Sequence, residues 1–326
     1  MHQIIKKMKN LFFYITIFSI AACGGGGTNN SGAGNEISGP VKIDGSSTVY
    51  PITEAVAEEI KHEYPKIRVT IGVSGTGGGF KKFSRGETDI NNASRNIKQE
   101  EIDLAKENNI EYTSIEIAYD GLAVVVHPEN DWVDYLTVAE LKMMWEPEAQ
   151  EKIKRWNQIR PEWPDKEIRL FGAGVESGTY DYFTEAVVGK SHSSRGDFTA
   201  SEDDNILVQG VSSDKYALAF FGFAYYEQNQ GKLKIVPIDG GKGNGAVIPS
   251  IETVKNKTYA PLSRPLFLYV NSKAAARPEV QAFISFYLNN APILVREVGY
   301  IPLTDEEYER EKEKFKNFEA GLSASK

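Results

Sequence analysis

A single cysteine in 326 residues, Cys23, excludes a disulfide within the chain and any cysteine-rich zinc site. The four histidines (His2, His62, His127 and His192) are scattered, and no pair stands at metal-ligand spacing. Neither a metal nor a cofactor is expected. Long basic runs are missing as well. Thirty-seven Lys and Arg face 45 Asp and Glu, a net charge of -8, which does not suit a nucleic-acid partner. No repeat of fixed period occurs, and no apolar run approaches the ~20 residues of a membrane-spanning helix. The phosphate-loop pattern G-x-x-x-x-G-K-[ST] is absent, and no G-x-G-x-x-G follows the first strand, which disfavours a nucleotide. There is no nucleophile elbow either: Gly72-Val73-Ser74-Gly75-Thr76 fails at its last position.

What is present is the composition of a folded protein, 41% apolar and 25% charged. The length suggests two domains. At the N-terminus, Lys6, Lys7 and Lys9 precede an apolar run from Leu11 to Ala22, the right length for the core of a signal peptide. The run ends in Ile20-Ala21-Ala22-Cys23, which resembles the lipobox of bacterial lipoproteins. The resemblance implies that residues 1–22 are removed and that lipid is attached to the Cys23 sulfur. Residues 23–39, rich in Gly, Asn and Ser, read as a flexible tether. The expectation is an exported protein, lipid-anchored to a membrane and facing the periplasm or the cell exterior.

Beyond the tether, strand-like runs alternate with amphipathic ones. Val41 to Ile43, Ile67 to Val73, Tyr119 to His127, Ile168 to Phe171 and Leu266 to Val270 read as strands. Ile52, Val56 and Ile60 at i,i+4 spacing predict a helix over about 51–62. Further helices are expected over 98–108, 138–145, 178–188 and 278–288. Ala217 to Tyr226 reads as strand or helix. The charged tail, about 304–318, reads as a solvated helix with a modest role. Together these predict an α/β fold with largely parallel sheets.

Three glycine-hydroxyl turns carry the chemistry. Asp44-Gly45-Ser46-Ser47-Thr48 lies between the first strand and helix 51–62, with Pro51 suited to the first helical turn. Ser74-Gly75-Thr76-Gly77-Gly78-Gly79 follows the second strand, and Ser177-Gly178-Thr179 precedes helix 178–188. Helix N-termini present free N–H groups and about half a positive charge. Glycine lets those amides approach a ligand, and Ser and Thr hydroxyls add donors. The product is an anion cradle. Any one such turn alone is better explained as a capped helix. Three at strand ends point to convergence, because ligands of α/β sheets sit beyond the carboxyl ends of strands. Ser94 and Arg95 end a further short strand, and Arg95 has a fork that suits an oxyanion, although a surface ion pair would explain it too.

Taken in order, D-G-S-S-T-V-Y-P, V-S-G-T-G-G-G-F-K-K-F, N-A-S-R and S-G-T-Y-D-Y-F resemble the phosphate-binding proteins of bacterial ABC transporters. Gly196 to Asn205 fits the same family, and the resemblance covers about 40–303. It implies a type II periplasmic-binding-protein fold, with two α/β lobes around a ligand cleft. The lobes would be 40–120 plus 265–326, and 121–264, with crossings near Tyr119–Leu122 and Ser263–Phe267. It implies that phosphate meets Ser46, Ser47, Thr48, Ser74, Thr76, Gly77, Ser94, Arg95, Ser177, Gly178 and Thr179. It also implies delivery to membrane permease subunits by a monomer that binds without turnover.

The chain departs from the family pattern twice. Well-known members carry Asp after A-S, where this chain has Arg95, and Arg four residues before the Ser of S-G-T, where it has Ala173. The guanidinium has changed position, and the carboxylate that would accept the phosphate proton is missing from its usual place. Such an acceptor separates phosphate from sulfate, which has no proton to donate near neutral pH. Glu176 and Asp44 are the candidate substitutes, and Arg195 is a further candidate for the cleft, although a surface role explains it as well. Rival readings are binding of another, sulfate-like oxyanion, an exported phosphatase, and a lipid-anchored sensor or adhesin. A phosphatase needs a nucleophile with a base, which the scattered histidines do not supply.

Overall fold

The structure is a computed structural model that describes residues 37–324 apart from Asn244. Cys23, the signal peptide and most of the tether lie outside the described residues. Among the described residues, no helix is long and apolar enough to cross a membrane.

The chain begins with β1 (Gly39–Gly45), α1 (Tyr50–Glu63), β2 (Ile67–Ile71), α2 (Gly75–Phe83), β3 (Ile90–Ala93) and α3 (Gln99–Glu107). A long strand, β4 (Tyr112–Val126), follows. Next come β5 (Leu136–Thr137), α4 (Val138–Trp145), β6 (Arg169–Ala173), α5 (Gly178–Phe183), β7 (Thr199–Ser201), α6 (Asp204–Ser213), β8 (Ala217–Gly222) and α7 (Phe223–Gln228). Short strands β9 (Lys234–Ile235), β10 (Ile238–Asp239) and β11 (Ala246–Val247) lead to α8 (Ile251–Lys255) and β12 (Ser263–Asn271). The chain ends with α9 (Ser272–Ala275), α10 (Pro278–Glu297), β13 (Ile301–Pro302) and α11 (Asp305–Ala324).

One mixed sheet runs in the order β2-β1-β3-β12-β4-β8-β6-β7. Its two ends are parallel, β2-β1-β3 and β8-β6-β7, as βα alternation requires. The middle is antiparallel, because β12 pairs with both β3 and β4. The expectation of largely parallel sheets therefore holds only at the ends. β4 changes partner along its length: Tyr112 to Gly121 pair with β12, and Leu122 to Val126 pair with β8. Every residue from Ile117 to Val126 is buried, which is why Leu122 to Val126 reads as a continuous apolar run.

Ile52, Val56 and Ile60 are fully buried on the inner face of α1. α1 packs against α10, where Thr53 Oγ1 lies 3.3 Å from Tyr287 Oη. Phe80 and Phe83 pin α2 to a small cluster with Tyr269 and Ile110, so the glycine-rich turn sits on a rigid base. The ambiguous stretch 217–226 is both things in turn. Five buried residues of β8 end at Gly222, and α7 begins at the next residue. The helix expected over 178–188 is α5 followed by a π-helical turn over Thr184–Val188. The charged tail is corrected in role. α11 is not merely solvated: Tyr308 and Phe315 are buried, and Tyr308 Oη donates to Ile117 O at 2.8 Å. The tail thus braces β4, and Tyr308 and Phe315, seven residues apart, lie on its buried stripe.

Candidate functional site

Gly45 ends β1 at φ +135°, where a Cβ would meet Asn92 O at 2.1 Å, so the first turn needs glycine. The turn is then tied down by Ser46 N donating to Asn92 O at 2.9 Å. No side chain caps α1 at Val49. α2 is likewise free of a side-chain cap, because Ser74 is engaged elsewhere. Its amide and hydroxyl both donate to Asp44 Oδ1, at 3.0 and 2.5 Å. Thr76 Oγ1 instead meets Ser94 Oγ at 3.0 Å and accepts from Ser94 N at 3.1 Å, which joins the glycine-rich turn to the end of β3.

These segments open on one cavity of about 260 Å³. Ser46, Ser47, Thr48, Gly75, Thr76, Gly77, Ser94 and Arg95 line it, together with Lys98, Asp181, Glu185, Ser191 and Arg264. Ser74 is not among them. Ser177, Gly178 and Thr179 line an adjacent cavity of about 450 Å³, to which Ser47 also contributes. The third turn still meets the first. A Cβ on Gly178 would lie 2.5 Å from Thr48 Cα, and Thr48 Oγ1 donates to Gly178 O at 3.3 Å. Ser177 caps α5, accepting from Tyr180 N at 3.1 Å and donating to Gly174 O at 2.8 Å.

The charged candidates fall in different places. Asp44 is buried in an ion pair with Lys82 at 2.5 Å and also accepts from Gly45 N, outside the cavity lining. Burial pushes its carboxyl up, but Lys82, Ser74 and the backbone donors together hold it below the usual carboxylate value. Glu176 is exposed on the adjacent cavity, where Ala173 also lies. Arg95 reaches the cavity, but Glu101 holds both of its terminal nitrogens, at 2.9 and 2.8 Å. Arg195 neither enters the cleft nor lies on the surface. It is 4% exposed, forks onto Asp197 at 2.5 and 2.8 Å, and donates to Met144 O and Ile153 O. That contact holds the Asp197 carboxyl down at about 2.

Of the cavity residues that escaped the sequence reading, Arg264 and Asp181 make the most telling contacts. Arg264 donates from Nη2 to Thr48 Oγ1 at 2.8 Å and from Nε to Asp120 Oδ2 at 3.2 Å. Its guanidinium lies 3.4 Å from the Tyr182 ring centroid. Burial pushes the Asp120 carboxyl up, and Arg264 pulls against that rise. Asp181 accepts from Ser47 Oγ at 2.5 Å, and its other oxygen lies 2.9 Å from His192 Nε2. The available signal for Arg264 was a lone cation in a run that is otherwise apolar from Pro265 to Val270. For Asp181 it was the acid within S-G-T-Y-D-Y-F, four residues after Ser177, where a helix returns to its first-turn face.

The arrangement supplies hydroxyls, uncapped helix N-termini, one incompletely neutralised guanidinium and two carboxylates around a small polar space. It suits a small oxyanion that carries a proton. Comparison with known proteins points the same way. Residues 30–291 match the model of the PBP superfamily domain. The chain is 47% identical to Protein SphX of Synechocystis over 94% of its own length and 88% of that protein's. It is 39% identical to the phosphate-binding protein PstS of Staphylococcus saprophyticus, covering 90% and 89%. A crystal structure described as a possible phosphate binding protein from Planctomyces limnophilus superposes with a TM-score of 0.83 at 45% identity, covering 86% and 99%. The chain belongs to the PBP superfamily and, within it, to the family that contains SphX and the phosphate-binding proteins PstS.

Proposed function

We propose that this protein binds inorganic phosphate outside the cytoplasmic membrane and delivers it to the permease of an ABC transporter. The observation that carries the reading is the convergence of Ser47, Thr48, Thr76, Ser94 and Arg264 on one cavity in a chain of this family. The hydroxyls and the amides of the first two turns donate to the anion, the α1 and α2 dipoles favour it, and one guanidinium supplies formal charge. Ser46 and Gly77 complete this wall. Ser177, Gly178 and Thr179 close on the ligand from the other side.

In this reading the lobes are 40–120 plus 265–326, and 121–264, and they hinge where β4 and β12 pass between them. Closure on the anion is a shift in population between open and closed forms, so release to the permease remains accessible. Asp181 takes the acceptor role considered for Glu176 and Asp44. Phosphate near neutral pH carries a proton. When it enters, Ser47 turns its hydroxyl to a phosphate oxygen, and Asp181 accepts the hydrogen bond of the phosphate proton. Sulfate brings no proton, and its oxygen would face the carboxylate.

The relatives named above include phosphate-binding proteins, which supports binding without turnover. The Cys23 lipid would tether a monomer to the membrane, facing the periplasm or the exterior. The test is equilibrium dialysis against radiolabelled phosphate, alongside incubation with a chromogenic phosphate ester. Retained phosphate with no released chromophore is expected. Steady chromophore release would overturn the reading in favour of an enzyme.

A further inference from the structure

We infer that Arg264, not Arg95, supplies the counter-charge of this site and couples the bound anion to closure; the inference rests on the phosphate reading above. The two guanidiniums differ in what already holds them. Arg95 gives both terminal nitrogens to Glu101, and Nη1 also donates to Asn96 O at 3.0 Å. A two-point fork on a carboxylate is the strongest neutralisation a guanidinium finds in a protein. Arg264 meets Asp120 through Nε alone, at 3.2 Å. Its terminal nitrogens turn to the cavity, Nη2 onto the Thr48 hydroxyl and Nη1 3.9 Å from the exposed Glu185 carboxylate. The Arg264 side chain is 12% exposed, so its attraction for an anion is little screened.

Its position adds the second half of the inference. Arg264 pairs in register with Asp120 across β12 and β4, the two strands that pass between the parallel ends of the sheet. On one side its edge holds Thr48, just ahead of α1. On the other its face stacks on Tyr182 of α5. Only a planar cation does both at once, which explains arginine in place of lysine. An anion bound to the Thr48 turn and to Arg264 therefore draws α1 and α5 onto one fixed cation. Charge recognition and closure become the same event.

The test is calorimetric phosphate titration of the intact protein, with small-angle X-ray scattering on the same samples. Arg264→Gln is expected to weaken phosphate binding roughly 100-fold or more, the scale of losing a desolvated charge partner. Arg95→Gln is expected to cost less than about tenfold, as for a guanidinium already paired. Because Arg264→Gln strands the Asp120 carboxylate, the double variant Asp120→Asn/Arg264→Gln is measured too. It removes both buried charges, and it is expected to show the same weakening with unaltered circular dichroism. Wild type is expected to contract on adding phosphate, and both Arg264 variants are expected to lose that contraction at equal occupancy. A double variant that binds as tightly as wild type overturns the inference, as does a larger loss in Arg95→Gln than in Arg264→Gln. If wild type itself binds no phosphate, the functional reading falls and takes the inference with it.

Discussion

Ser47 and Asp181, 134 positions apart, meet through a 2.5 Å hydrogen bond from the Ser47 hydroxyl to Asp181 Oδ2. One belongs to the turn before α1 and the other to α5, so the contact joins the two sides of the cavity. It also places a carboxylate where a proton on the ligand would be felt. Asp181→Asn is therefore expected to admit sulfate. The amide can donate where the carboxylate only accepts, so the penalty for an unprotonated oxyanion disappears. Competition calorimetry should show phosphate weakened by about tenfold, the scale of one charge-assisted hydrogen bond, and sulfate bound measurably for the first time. A variant that still ignores sulfate removes Asp181 from the selectivity account.

Thr76 and Ser177 should respond differently to alanine. Thr76 Oγ1 bonds only to Ser94 at the cavity wall, so Thr76→Ala is expected to weaken phosphate by about 1–3 kcal/mol with little change in Tm. Ser177 is also the N-cap of α5, so Ser177→Ala should lose affinity and, in addition, about 1 kcal/mol of folding stability. Calorimetry paired with thermal unfolding separates the two effects. Unchanged affinity in both variants contradicts the site assignment.

Gly178 offers a purely steric test. An alanine there places its Cβ 2.5 Å from Thr48 Cα and 2.7 Å from Thr48 N, both backbone atoms that cannot swing aside. Gly178→Ala should hold the protein open. The expected result is loss of phosphate-induced contraction in solution scattering, with Tm of the free protein close to wild type. Normal contraction would mean that the first and third turns do not close on each other.

Asp204, beside the third turn, gives a pH prediction. Burial first, then the neighbouring Asp203 and Glu202, push its carboxyl up to about 7 from an ordinary 3.8. The folded state holds a proton that the unfolded state releases, so stability falls as pH rises from about 4 through 7. Asp204→Asn should therefore raise Tm at pH 8 and leave it nearly unchanged at pH 4. An equal shift at both pH values would contradict the assignment to this carboxyl.

Local pattern made much of this legible. The i,i+4 spacing of Ile52, Val56 and Ile60 fixed α1, and the glycine-hydroxyl turns announced themselves because helix starts and anion cradles use the same residues. Arg264 and Asp181 were missed for a different reason. Neither stands in a turn, and each enters the cavity only because β12 and α5 are brought against Thr48 and Ser47 by pairing across more than a hundred residues. Arg195 misled in the opposite sense. A cation in a Ser- and Gly-rich segment suggested a solvent or cleft position, whereas two carbonyls and Asp197 hold it in the interior. The tail helix misled through composition, since Tyr308 and Phe315 are outnumbered by charges but are buried, Tyr308 against β4.

The central claim is tested most directly by titration calorimetry of the anion-free protein, first with phosphate and then with sulfate, near pH 7.5. The account predicts micromolar or tighter phosphate binding and no measurable heat from sulfate. Sulfate binding as tight as phosphate binding would contradict it, because an oxyanion without a proton would set an oxygen against the Asp181 carboxylate with no hydrogen bond for that carboxylate to accept.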